Sequence, residues 1–332
     1  MPLIENADPS KVNTRLQPLF PDLVTSFLRL SPESRAIAEE IIRKRSIRFE
    51  LDFDTDEFLF SAGAYQTATG PDMQRLCVGL KAMERAWALV FGYHALTRWL
   101  IERHNAAIQG RAPAAPVALL EAFKLIEWAL PKDDPENPGH PLIIPYPPDL
   151  PAPSNPYPDA ALMQEVSAAS IRTIGWILMH ELGHFDKGHF DRVPGAPYDP
   201  HTEEYEADEW ATVTAITPLV SSHSRANLAA VPYGMGIIAA INHIEDEEHP
   251  SLVNRLKRFA AAHVEPLRAG DKILYNNVIF NCMSPLQTLL FLKTGGSLDQ
   301  PPPSFDSLSE YLGWWDSEFS KPSDEPSQAD GA

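Results

Sequence analysis

Hydrophobic and polar positions change their period several times along the chain, and each change predicts an element. In "RFELDF", Phe49, Leu51 and Phe53 alternate with polar neighbours, the period of two that marks a short strand. The run "MQRLCVGLKAMERAWALVFGYHALTRWLIERH" carries a helical period with its charges on one side. "APVALLEAFKLIEWAL" predicts a second helix, with Pro116 near its first turn, where a missing N–H is tolerated. From Asp159, a good capping side chain, to about Gly188 the pattern is helical again. A further helix is expected from near Thr202, with Glu203 and Glu204 in the first turn, where the helix dipole favours carboxylates. Another is expected from Pro250. The fold class these elements predict is α+β and mainly helical, without an internal repeat.

Eleven prolines between positions 131 and 158 interrupt the periodicity and forbid helix or a central strand there. They read as a connector or surface loop, although "PLIIPYP" is extended and apolar enough for an edge strand. The expected organisation is a helical amino-terminal region over residues 1–130, the proline-rich connector over 131–158, a core over 159–315, and a frayed polar tail over 316–332.

Composition narrows the function classes. A chain of 332 residues with 44% hydrophobic content buries a sizeable core. Its formal net charge of −18 repels nucleic-acid backbones and anionic membrane surfaces, and no basic stripe offsets that, so a nucleic-acid partner is not expected. The longest apolar stretches are broken by proline and glycine and fall short of the ~20 residues that span a bilayer, so membrane insertion is not expected either. No basic start followed by an apolar run marks a secretory signal, and Cys77 and Cys282 lie far apart outside any CxxC spacing. Two buried thiols in a reducing, cytoplasmic setting are the expectation.

Chemistry concentrates in "ILMHELGHFDKGHFD". His180, Glu181 and His184 form HExxH on a helical segment, and the i, i+4 spacing stacks both imidazoles on one face, where they can reach a single Zn²⁺ at ~2.0–2.1 Å. Glu181 lies about 100° round the helix, beside the ion and not on it, where a base for an attacking water is needed. The motif alone is only suggestive. The preceding "IRTIGWIL" is apolar enough to bury it, and buried histidines and a glutamate without partners would be costly. His189 looks like a third ligand of the metzincin signature, but the spacing fails: that pattern wants glycine at Lys187 and histidine at Phe190. A supporting, helix-terminal or surface role is expected for it.

Catalytic zinc takes three protein ligands and keeps one position open. "HTEEYEADEWA" offers the third. Glu204 has Asp208 on the next turn of the same face and the small residues Ala207 and Ala211 alongside, so its helix can come close, with Asp208 accepting the spare N–H of a ligating histidine. Glu203 and Glu206 remain alternatives, although they would turn Trp210 or Val213 toward the site. In "EDEEHPSLVNRLKRF", His249 stands at a helix entrance and Arg255 one to two turns later. Either could stabilise an oxyanion, and each also has a plainer use, as a polar cap and a salt-bridge partner.

The ordered set "HELGHFDKGH", "EYEAD" and "HPSLVNR" resembles the HExxH, ExxxD and HPxxxxR elements of gluzincin metallopeptidases related to the CAAX prenyl protease and HtpX group, over about 75 residues. That resemblance implies zinc on His180, His184 and Glu204, a general base at Glu181, Asp208 behind the ligands, and assistance from His249 and Arg255, within a zincin-like core. Those enzymes are integral membrane proteins. A soluble chain of this size with "EADEWA" looks more like the Lit-type phage-exclusion peptidases. The ImmA-type peptidases share HELGH and a following glutamate helix, but with a shorter span and a proline one residue nearer than Pro218. The implied activity is zinc-dependent hydrolysis of a peptide bond in a protein or peptide substrate, in phage exclusion or a stress response. A metal-stabilised regulatory or binding protein without turnover is the alternative, and a structural interaction protein with a coincidental HExxH is a further one.

Overall fold

The computed structural model describes residues 14–23, 25–26, 30–52, 60–65, 73–113, 118–130, 144–155, 157–191, 199–216, 222–241, 250–265, 310 and 313. Its helices are α1 (Phe20–Leu23), α2 (Pro32–Arg45), α3 (Leu80–Ile108), α4 (Ala118–Ala129), α5 (Ala160–Lys187), α6 (Pro200–Ile216), α7 (Ser222–Ile241) and α8 (Leu252–Phe259), the last continuing into a π-helical turn, Ala260–Val264. A small sheet is formed by β1 (Arg48–Asp52), β2 (Phe60–Tyr65) and β3 (Met73–Gly79). The mainly helical α+β expectation holds.

The sheet order is β1-β3-β2, with β3 in the middle, parallel to β1 and antiparallel to β2. β1 coincides with the alternation in "RFELDF". β3 is a correction, because the helical period assigned to the run beginning "MQRLCVG" starts only at Leu80. In β3 the buried Leu76 and Val78 alternate with the half-buried Arg75 and Cys77, a period of two that seven residues ahead of a long apolar helix are too few to announce. Glycine 79, extended and offering no capping side chain, marks the switch to helix.

α3 is covered on every side along much of its length, as expected of a helix whose apolar positions follow no single stripe. α4 packs on it at Gly92, where a Cβ would run into the Ile126 side chain. The connector is less solvated than its prolines suggest. Tyr146, Leu150 and Ala152 are buried, the Trp128 indole N–H of α4 donates to the carbonyls of Ile144 and Pro145, and residues 144–155 form no strand. Proline-rich backbone has carbonyls to satisfy and few N–H groups to pair them with, and here a tryptophan supplies one.

α5 is the axis of the molecule, packed against α2, α3, α6 and α7. Asp159 caps it by accepting from Leu162 N–H at 2.8 Å, and Gly188 ends it in the left-handed conformation at φ 75°. α6 begins two residues before the expected Thr202. α8 begins two residues after Pro250, with Ser251 as its cap. Buried side chains from Leu16 to Val264 join one cluster. The residue 316–332 tail, Cys282 and most of the stretch beyond residue 265 lie outside the described residues.

Candidate metal centre

Residues 173–185 of α5 are buried without a break, so His180, Glu181 and His184 sit inside the protein. A helix can be enclosed this completely only if a neighbour comes close, and Gly183 permits it. A Cβ there would lie 3.2 Å from Ala207 Cα, 3.3 Å from Ala207 O and 3.2 Å from the Trp210 ring of α6. Ala207 and Ala211 are fully buried at this crossing. Small residues facing each other let the two backbones approach, and the approach carries Glu204 to the histidines.

His180 Nε2 and His184 Nε2 are 3.3 Å apart, and the Glu204 carboxylate oxygens lie 3.3 Å from the first and 3.4 Å from the second. Donors ~2.0–2.1 Å from one tetrahedral ion sit about 3.3–3.4 Å from each other, so the spacing matches a common ligand sphere. Two imidazole nitrogens and a carboxylate are also the donor chemistry that zinc accepts. Among the described residues, His180, His184 and Glu204 form the group that could hold a metal ion.

A layer of charge surrounds these three. His180 Nδ1 is 3.0 Å from Asp208 Oδ1, in a contact bent away from the ideal N–H direction. Arg255 of α8 grips Asp208 with both arms of its guanidinium, Nε at 2.7 Å and Nη2 at 2.5 Å, and its Nη1 lies 3.8 Å from Glu204. Arg255 is 2% exposed, so this pair is dry and each member depends on the other. Glu181 lies within electrostatic reach of the same guanidinium.

Burial alone would lower the His180 pKa, but Glu204 and Asp208 overcome it and push it up to about 10. Burial would raise both carboxyls, yet His180, His184 and Arg255 hold Glu204 well below the usual range, and Arg255 and His180 lower Asp208. The His180 ring lies between the two carboxylates, one on each of its nitrogens, which favours its protonated form.

His189 enters the picture through the turn at Gly188. The left-handed cap folds the chain back, so His189 Nδ1 comes 2.9 Å from His184 Nδ1 and its Nε2 lies 3.1 Å from Glu206. It is not among the metal-holding group, and Glu206 serves it and not the ligand position. Burial lowers its pKa. The link through Glu206 was not visible in the sequence; a glycine at the helix end followed by histidine was the signal. Glu203 likewise lies outside the metal-holding group. Trp210 covers Gly183, and Val213 faces outward. His249 lies outside the described residues. A cavity of ≈ 460 Å³, walled by Tyr205, Thr212, Met235 and Phe259, borders the Asp208–Arg255 pair.

No curated protein and no solved structure matches the chain. A family model does: peptidase U49 matches residues 80–274, a span that opens on the first residue of α3 and takes in α5, α6, α8 and every residue named at this centre. With more than half of its length covered, the chain belongs to the peptidase U49 family, and peptidase activity on a protein substrate is the function that membership supplies.

Proposed function

We propose that the protein is a zinc-dependent endopeptidase of the gluzincin type, built on a zincin-like core, with zinc held by His180, His184 and Glu204. The observation that carries this reading is the convergence, in a buried site of a peptidase-family chain, of two imidazole nitrogens 3.3 Å apart with the Glu204 carboxylate, whose Oε2 lies 3.3 Å from His180 and whose Oε1 lies 3.4 Å from His184. Zinc held by these residues would supply Lewis acidity, to polarise the scissile carbonyl and make a water molecule acidic near neutral pH.

The protein's own groups orient and move protons. Glu181 takes the proton of the attacking water and returns it to the leaving amine, which needs no covalent intermediate. With His184 Nε2 given to the ion, its Nδ1 carries the hydrogen and donates to His189 Nδ1, and His189 Nε2–H donates to Glu206. His180 Nδ1–H turns in the same way toward Asp208. Arg255 has two nitrogens committed to Asp208 and one beside Glu204, so it braces the ligands. The transition-state assistance that the resemblance implies for His249 and Arg255 is part of the same proposal. The Lit-type resemblance adds the setting, phage exclusion, and directs the substrate search to host proteins.

The test is a comparison of new protein termini in cells expressing the wild type and Glu181→Gln. The variant keeps its zinc and loses the cleavage, a loss of about 10²–10⁴-fold in rate if measured on a purified substrate. Cleavage by Glu181→Gln at the wild-type rate refutes the role given to Glu181. Bound zinc with no new termini from the wild type favours a regulatory protein without turnover.

A further inference from the structure

A second cavity, of ≈ 300 Å³, lies between α3, α5 and α7, and no residue of the candidate metal centre lines it. Its walls are His94 of α3, Glu165, Arg172 and Thr173 of α5, and Tyr233 of α7, with Ala168, Ala169 and Ala230 as an apolar lining. Thr173 is fully buried, and its hydroxyl has no hydrogen-bond partner. The Nε2 of His94 is also buried without one. Leaving such groups unpaired is expensive, and two of them lining one cavity, from α3 and from α5, point to a ligand that pairs them.

The charges say what kind of ligand. Glu165 is paired with Arg98 at 2.9 Å, although its carboxylate still acts on His94. Arg172 is half-buried, and among the described residues it donates to the Ala168 carbonyl one turn back, at 3.3 Å. Burial lowers the pKa of Arg172 and of His94, in the second case against an opposing pull from Glu165. Beside His94 the lining is aromatic: the Tyr233 ring lies 5.7 Å from the His94 ring and stacks on Tyr93 at 5.4 Å. A guanidinium without a carboxylate, beside an orphaned hydroxyl and an orphaned imidazole nitrogen, is complementary to a carboxylate, and the alanine and tyrosine surfaces are complementary to an apolar body.

We propose that this cavity binds a small organic monocarboxylate, its carboxylate on Arg172, Thr173 and His94 and its apolar portion against Tyr233 and the three alanines. The site is separate from the metal centre and does not depend on the peptidase reading. Thr173 lies seven residues before His180, about two helical turns along α5, so the two sites share a helix without sharing a residue.

The probe is 3-phenylpropionate, titrated calorimetrically into the full-length chain, with 3-phenylpropionamide as the uncharged match. The wild type binds the acid saturably and the amide at least about tenfold more weakly. Arg172→Gln weakens the acid about tenfold or more, a result that also separates this cavity from carboxylate binding at the metal. Thr173→Val is close to isosteric and removes an unpaired hydroxyl, so it folds; it weakens the acid several-fold and keeps the proposal testable if Arg172→Gln does not fold. Absence of saturable binding by the folded wild type, equal affinity for acid and amide, or unchanged affinity in Thr173→Val together with any folded Arg172→Gln overturns the proposal.

Discussion

At the scale of single residues, the proposed reading makes a proton and a metal ion competitors for His180. His180 has its pKa raised to about 10 by the carboxylates of Glu204 and Asp208, against the pull of burial. A ligating imidazole must be neutral, so metal binding has to expel that proton. Below pH 10 the apparent zinc affinity therefore rises with pH, by at least about tenfold per unit between pH 7 and 9, and flattens once His180 loses its proton unaided. Competition titrations with a calibrated chelator across that range check the slope; an affinity independent of pH contradicts it. In the metal-free protein the sign runs the other way. The raised His180 pKa contributes stability that is fully present below about pH 6.5, the ordinary histidine value, and is lost as pH climbs through about 10. The sequence pointed to His180, His184 and Glu204 as a cluster, with Glu203 and Glu206 left open, because i, i+4 spacing and a glutamate one turn before an aspartate are local patterns. Arg255 was legible only as a cation on a helix, since its grip on Asp208 joins positions 47 residues apart and no local pattern encodes it.

At the scale of elements, the crossing of α5 and α6 decides whether the ligands meet. Gly183, the fourth letter of "HELGH", stands against the Ala207 backbone with no room for a side chain. Alanine there demands that α6 yield a few tenths of an ångström, and valine demands more. Gly183→Val is expected to cost about 1–3 kcal/mol by overpacking and, by lifting Glu204 away from the imidazoles, to weaken zinc more than the stability loss alone accounts for. Gly183→Ala should do the same on a smaller scale. Thermal denaturation with and without zinc measures both; a Gly183→Val protein with wild-type zinc affinity contradicts the role of the close crossing. Helix starts and ends were readable from Asp159 and Gly188, whose capping chemistry is local. β3 was not, because its pairing with β1 and β2 is non-local and its apolar alternation runs straight into the helix that follows.

At the scale of the molecule, the family span and the site coincide. Residues 80–274 include α3, the long helix that carries the core, and α5, α6 and α8, which carry His180, His184, Glu204, Asp208 and Arg255. No helix among the described residues is long and apolar enough to cross a membrane, although the CAAX prenyl protease and HtpX enzymes that the motifs resemble are embedded in one. A charge of −18 spread over the chain leaves the buried centre as a place where cations are held by geometry and not by bulk attraction alone. The central claim is that His180, His184 and Glu204 hold one zinc ion, and its most direct test is elemental analysis of zinc-loaded, gel-filtered protein, wild type against Glu204→Ala. The account predicts about one zinc per chain in the wild type and little in a folded Glu204→Ala variant. A folded wild type that retains no zinc, or a Glu204→Ala variant that retains as much as the wild type, contradicts it.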